Sequence, residues 1–231
     1  MASSLPRTCL IGVLLFSLSL FSHANQSPSY DALFRQNADN AQLQTLAQRL
    51  NSGETAQGNF TQYRYLKVLK KPLVSHGQFL FQNQQGLAWL QTRPFASGLV
   101  LTQGALIQID SDGNRQVSQT QNNQQANALA QMMPTLMNGL LQGEIAPLAS
   151  QFSLFLLQEG QQWQLGLVPL DPLIKQAMPK LVLQGEQQLQ QLILLGHNGD
   201  RSEIHFEQIT NQPLTEQQLN YFSSVTPKPA Q

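Results

Sequence analysis

Any chemistry in this chain has to start from very few groups. Beyond the first two dozen residues the histidines are His76, His197 and His205, and no cysteine accompanies them. No two of them have the spacing of a helical metal pair. His205 alternates with Glu203 and Glu207 along an extended stretch, so the three share one strand face and could hold a metal weakly. An exposed polar face explains the same pattern more simply, and no metal or other cofactor is assigned. Seryl acyl transfer lacks its starting point, because there is no Gly-x-Ser-x-Gly elbow. Gly139-Leu140-Leu141-Gln142-Gly143 lacks the Lys-Ser/Thr ending of a phosphate loop. The carboxylates are scattered, mostly in turns, and nothing asks for a glycosidase pair. No catalytic residue is assigned, and the expected function is non-enzymatic.

What the chain offers instead is apolar surface in particular places. Phe79-Leu80-Phe81 and Leu87-Ala88-Trp89 flank a glutamine-rich turn, and a Pro94-Phe95 corner leads on to Leu99-Val100-Leu101. Alternate residues of a strand share a face, so Phe79 goes with Phe81, Leu87 with Trp89, and Leu99 with Leu101. Farther along, Ala126, Leu129, Ala130, Met132, Met133, Leu136, Met137, Leu140 and Leu141 form an apolar helical stripe interrupted by Pro134. Methionine is flexible and polarizable, and suits surfaces that must fit varied partners. A single helix of this kind is usually ordinary core. Here the proline break, the methionines and the interruption of a sheet together favour a lid over an apolar pocket. The expected cargo wall is Phe79, Phe81, Leu87, Trp89, Leu99 and Leu101. The expected lid is Leu129, Met132, Met133, Leu136, Met137 and Leu140.

The surrounding elements must position these two halves. A helical pattern runs from Tyr30 to Leu50, with Ser29 as its cap. Period two then takes over at Phe60–Val68, the first strand. Ala105 to Asp110 and Arg115 to Thr120 pair across Ser111–Asn114. Beyond the methionine helix come further hairpins: Phe152–Gln158 with Gln162–Val168, Lys180–Gly185 with Leu189–Leu195, and Ser202–Ile209 after an Asn198-Gly199 turn. Leu170 to Met178 is a helical or irregular connection, and a last helix covers Thr215 to Phe222. About eleven strands joined as hairpins imply one large antiparallel sheet that curls as its strands twist. The helices are too few to cover both faces, so they are expected to fill the hollow.

Charge and leader place this fold. The full chain has 13 basic and 13 acidic residues, which argues against a nucleic-acid binder. Arg7, the apolar run Leu10 to Phe21, and Ser22-His23-Ala24 read as a signal peptide cleaved after Ala24. That run is short for a membrane span. Cys9 precedes it and cannot be a lipoprotein's lipidated cysteine. The expected organisation is a signal peptide over 1–24, one domain over 25–222 and a loose tail over 223–231.

These residues, in this order, resemble the LolA family of periplasmic carriers of outer-membrane lipoproteins. The resemblance rests on Gly58-Asn59-Phe60-Thr61-Gln62, Pro72 through Phe81, Gly86 through Trp89, Pro94-Phe95, Asp200 through Phe206 and Pro213-Leu214-Thr215. It implies an unclosed half-barrel of eleven strands, mainly β with some α, with helices plugging its concave face. It implies an apolar cavity that takes the acyl chains of a lipoprotein from an inner-membrane exporter and delivers them to an outer-membrane receptor. Typical members carry an Arg-Pro pair before the aromatic strand, and its arginine holds the lid. Here Asn83-Gln84-Gln85 stands in that place. That departure suggests a divergent branch, with a lipoprotein, a glycolipid or another acylated molecule as cargo. The expected protein is a monomer in the periplasm. The rival expectation is a lipid- or peptide-binding chaperone or sensor module that moves nothing between membranes.

Overall fold

The structure is a computed structural model. It describes residues 29–50, 53–102, 105–119, 132, 135, 136, 138, 139 and 143–223. The expected signal peptide, Cys9 and all of the tail except Ser223 lie outside the described residues. Eleven strands form one antiparallel sheet. They are β1 Thr55–Tyr65, β2 Leu73–Gln82, β3 Gly86–Arg93, β4 Ser97–Leu101, β5 Ala105–Ile109, β6 Arg115–Gln119, β7 Phe152–Glu159, β8 Gln162–Pro169, β9 Lys180–Gly185, β10 Leu189–Leu195 and β11 Arg201–Thr210. Their spatial order is β6-β5-β4-β3-β2-β1-β11-β10-β9-β8-β7. Two meanders are therefore joined side by side through β1 and β11, with Phe60 opposite Phe206. β6 and β7 are the two free edges, so the sheet is not closed. The chain between them must cross from one edge to the other, and that crossing carries the methionine segment.

Alternation gives the sheet two apolar faces. The inner face carries Phe79, Phe81, Leu87, Trp163, Leu165, Leu167, Leu181 and Leu183, all in one core with Leu43, Leu46 and Leu50 of helix α1, Asn40–Leu50. Met132, Leu136 and helix α2, Ile145–Leu148, join the same core. Helix α3, Pro172–Ala177, is capped by Asp171 and contributes Ile174. These helices do fill the hollow. The expectation that the other face goes uncovered needs correction. Helix α4, Glu216–Leu219, and the 3-10 turn Asn220–Phe222 pack on the outer side of β2 to β5, against Leu80, Ala88, Val100 and Ile107. The 3-10 turn Leu33–Arg35 does the same for the other meander, against Val182 and Ile193. A sheet with apolar side chains on both faces has to be covered twice.

The N-terminal helix is shorter than its apolar spacing predicts. Asn37 forms a bridge with Phe155, and the Ala38 amide donates to the Leu154 carbonyl at 2.9 Å. Those bonds hold the backbone extended, and α1 starts only after Asp39. Asp39 and Gln42 form the two halves of a capping box. The Gln42 amide donates to Asp39 Oδ1 at 2.7 Å, and the Asp39 amide donates to Gln42 Oε1 at 3.3 Å. Asp39→Ala is expected to cost about 1 kcal/mol, measured as a lower urea midpoint at unchanged slope. The first strand also differs from its expected bounds. It begins at Thr55 and ends at Tyr65, and Val68 projects from the following turn, 87% exposed.

Candidate functional site

The middle of the inner face is an aromatic floor made possible by two glycines. Gly58 lies opposite Phe79, and Gly77 lies opposite Phe60, across the β1–β2 pairing. A Cβ on Gly58 would come within 2.9 Å of the Phe79 ring, and one on Gly77 within 2.5 Å of the Phe60 ring. Each phenylalanine thus lies flat over the strand beside it, where a side chain would otherwise stand. Phe60 crosses Gly77 and stacks on Trp89 of β3, with ring centroids 3.7 Å apart. Phe206 meets Phe79 edge-on at 5.3 Å and Trp89 at 6.3 Å. Such packing fixes ring orientation and adds to the burial energy of each ring.

Above this floor is a cavity of about 170 Å³. Of the expected wall, Phe79, Leu87, Trp89, Leu99 and Leu101 line it. Phe81 is on the same face but is packed into the core and does not reach the cavity. Of the expected lid, Met132 and Leu136 line the cavity and are almost fully buried. Leu129, Met133, Met137, Leu140 and the break at Pro134 lie outside the described residues. Ala88 faces the other way, beneath α4. The register of these strands is therefore the expected one.

Half of the wall comes from strands to which the sequence assigns no site residue. Leu181, Leu189, Leu192 and Leu194 come from β9 and β10, Ile204, Phe206 and Ile209 from β11, and Met178 follows α3. Alternation in Leu181-Val182-Leu183 and Leu192-Ile193-Leu194 marks both faces as apolar, so it cannot say which one is inner. Ile209 is inward only because β11 is irregular at Gln208, whose φ is 54°. That bulge shifts the alternation by one residue.

Every residue lining the cavity is apolar. At one end, Met178 and Leu194 are shared with a second, polar hollow lined by Gln62, Arg64, Asp200 and Ser202. A polar vestibule therefore adjoins the apolar cavity at that end. The two groups with displaced acidity both lie elsewhere. Burial raises the Tyr30 hydroxyl, with Glu203 adding to the shift and Arg201 opposing it. Asp110 is lowered by hydrogen bonds from the Asn114 side chain and amide, then from neighbouring turn amides. No acid–base pair faces the cavity among the described residues.

The polar strand face around His205 has its own occupation. Glu203 Oε1 accepts from Arg201 Nε at 2.6 Å, and Glu203 Oε2 is 3.9 Å from His205 Nε2. The Gln191 amide nitrogen lies 3.0 Å from His205 Nδ1, and Gln184 in turn donates to Gln191. Gln164 donates to Gln184 at 3.4 Å, completing a row of three amides on β8, β9 and β10 that ends on His205 of β11. The row keeps this stretch of the outer face polar with few charges. No cluster of metal-ligating side chains is found among the described residues. The Asn83-Gln84-Gln85 turn is closed by backbone bonds. The Asn83 amide donates to the Glu54 carbonyl at 2.9 Å, and the Gln85 amide to the Gln82 carbonyl at 3.1 Å.

The chain is similar to many solved structures, among them these three. The MucA/MucB complex of Pseudomonas aeruginosa is 16% identical over 77% of this chain with a TM-score of 0.42, and this chain spans 60% of that one. A LolA superfamily protein of Nitrosomonas europaea is 10% identical over 77% of this chain and 95% of its own, with a TM-score of 0.40. A DUF1329 family protein of Desulfovibrio piger is 8% identical over 79% of this chain and 95% of its own, with a TM-score of 0.44. No curated protein matches the chain. The model of the family described as outer membrane lipoprotein carrier protein LolA-like matches residues 36–201, from the bridge before α1 to the first residue of β11. With that match covering most of the sheet and the cavity it encloses, the chain belongs to the LolA-like family of outer membrane lipoprotein carrier proteins.

Proposed function

We propose that this protein is a periplasmic carrier. It shields the acyl chains of a lipoprotein or other acylated lipid in the apolar cavity and moves them from the inner to the outer membrane. Its donor is an inner-membrane exporter and its acceptor an outer-membrane receptor. The observation that carries this reading is a cavity whose whole lining is apolar, roofed by Met132 and Leu136. Each buried methylene contributes about 0.8 kcal/mol, so a long acyl chain stays out of water only inside such a sleeve. Phe79, Leu87, Trp89, Leu99 and Leu101 form one wall of the sleeve, with Phe81 packed into the core on the same face.

The size of the cavity bears on how it loads. A dry cavity of about 150 Å³ accepts a benzene ring, and this one is about 170 Å³. A full acyl chain needs more room, and the least costly source is outward movement of the segment bearing Met132 and Leu136. Neither of these two residues belongs to a strand of the sheet. Methionine tolerates the repacking. The test is a photo-crosslinking amino acid placed in turn at Leu87 and Ala88 of the exported protein. The crosslinker at Leu87 is expected to capture acylated molecules, identified by mass spectrometry, and the one at Ala88 to capture none. Capture at Ala88 alone would put the cargo on the α4 side of the sheet and end this reading.

A further inference from the structure

The two ends of the sheet are unlike each other. Tyr65 pairs with Arg201, so the β1–β2 connection shares one end with the β10–β11 turn. By antiparallel alternation, the β3–β4 turn and the β8–β9 connection lie at that end too. Large apolar side chains stand in the open there. Val68 is 87% exposed and Phe95 76%, with Leu69, Leu73 and Leu170 also exposed. Lys67, Lys70 and Lys71 are exposed in the same β1–β2 connection, and no acid lies between Leu66 and Gln82. The ion pair that Glu203 makes with Arg201 involves none of these lysines. The acids at this end, Asp110, Asp112, Asp171 and Asp200, lie in the β5–β6, β8–β9 and β10–β11 connections and not in the lysine-bearing one, while the opposite end carries Glu54, Glu159 and Glu186, with Arg49 reaching the Gln161 carbonyl.

The lysine-bearing end is also the end at which the polar vestibule adjoins the cavity. Leu66 and Arg64 line the polar vestibule that adjoins it past Met178 and Leu194. The Lys67 amide donates to Asp200 Oδ1 at 2.8 Å, which ties the β1–β2 connection to the vestibule rim.

We propose that the β1–β2 connection, Leu66 to Pro72, is a membrane-docking element that seats the vestibule end of the cavity on an anionic bilayer surface. Val68 and Leu69 enter the headgroup boundary, and the three lysines meet lipid phosphates. The chemistry favours a bilayer over a protein. An apolar tip flanked by cations needs no matched pocket in a bilayer, since apolar burial and attraction to anionic headgroups act together. An exposed tip of this kind is costly to a soluble protein unless it has a surface to meet. This docking stands on the rim alone, and its failure leaves the cargo reading untouched.

The test is flotation of the protein with vesicles of phosphatidylcholine, with and without phosphatidylglycerol. The wild type is expected to float with the anionic vesicles and to be released by high salt. Each lysine near the surface contributes about fivefold in partitioning, so K67Q/K70Q/K71Q together should lose about a hundredfold. V68E/L69E should abolish flotation, because both side chains are exposed and their replacement leaves the core intact. V117E, an exposed change on edge strand β6, should float as the wild type does. Val68→Trp should shift its emission to the blue on adding anionic vesicles. Wild-type protein that stays at the bottom, V68E/L69E that floats normally, or a Val68→Trp spectrum unmoved by bound vesicles would each overturn the proposal. Flotation only when an acidic membrane protein is reconstituted would overturn it as well, in favour of a protein partner.

Discussion

Gly77→Ala should destabilise the fold by more than about 3 kcal/mol, although it adds a single methyl group. The new Cβ would run into the carbonyl oxygen of Leu90 on the neighbouring strand, a backbone atom held in the ladder. It would also come within 2.5 Å of the Phe60 ring. That ring cannot swing aside, because it is 1% exposed and stacked on Trp89 at 3.7 Å. Overpacking alone costs about 1–3 kcal/mol, and here the strand must also part from its neighbour. A loss of more than about 3 kcal/mol is a large share of the roughly 5–15 kcal/mol that holds a domain together. Gly113→Ala is the control. A Cβ there meets nothing within 4 Å, and its φ of +84° is the only strain. It should cost about 1 kcal/mol. Urea unfolding of both variants separates the cases. A Gly77→Ala midpoint equal to that of the wild type would mean that Phe60 does not lie across the β2 backbone.

This glycine also marks what the sequence can and cannot show. The Gly77-Gln78-Phe79 and Gly58-Asn59-Phe60 spacings are visible in the chain, but their reciprocal fit depends on pairing β1 with β2 in one register. Hairpins of this kind are local, and alternation within them is enough to put Phe79, Leu87 and Trp89 on one face. The pairing of β1 with β11 is different. Phe60 and Phe206 are opposite each other at the seam of the two meanders, with most of the chain between them. No turn motif encodes that contact, so the β9–β11 half of the wall is not legible in the chain. Leu-rich strands with apolar residues on both faces give no preference for the inner one. The start of α1 is legible only against a competing signal. Asp39 and Gln42 have capping-box spacing, yet Leu33, Phe34 and Ala38 continue a helical period upstream. Tertiary bonds to β7 override that period.

Leu87→Glu should abolish cargo binding near neutral pH and recover part of it in acid. Leu87 is 9% exposed and lines the cavity beside its cross-strand partner Leu101. No cation is among the lining residues, so a carboxylate there has no ionic partner. Desolvation disfavours its charged form and raises its pKa above the usual value of about 4.3. The sign of the pH dependence follows. Below both pKa values the side chain is neutral in the folded and unfolded chains, and the charge costs nothing. As pH rises through about 4.3 the unfolded chain ionises first, and stability falls until the folded-state pKa is passed. Above it the loss is constant, and the anion can be relieved only by admitting water or displacing Met132 and Leu136. Both remedies spoil an apolar sleeve. Leu87→Gln has nearly the same shape but does not titrate, so it isolates the charge. The measurement is the affinity of a fluorescent acyl ester without ionisable groups, taken near pH 4 and near pH 7 for all three proteins. A pKa about two units higher with cargo bound than without corresponds to about a hundredfold weaker binding of Leu87→Glu relative to Leu87→Gln at neutral pH, with the gap closing in acid. Equal affinity of Leu87→Glu and wild type at neutral pH would place the cargo somewhere other than this cavity. An equal loss for glutamate and glutamine at both pH values would show that the site stays wet when occupied, because only water could hold the charge at no cost.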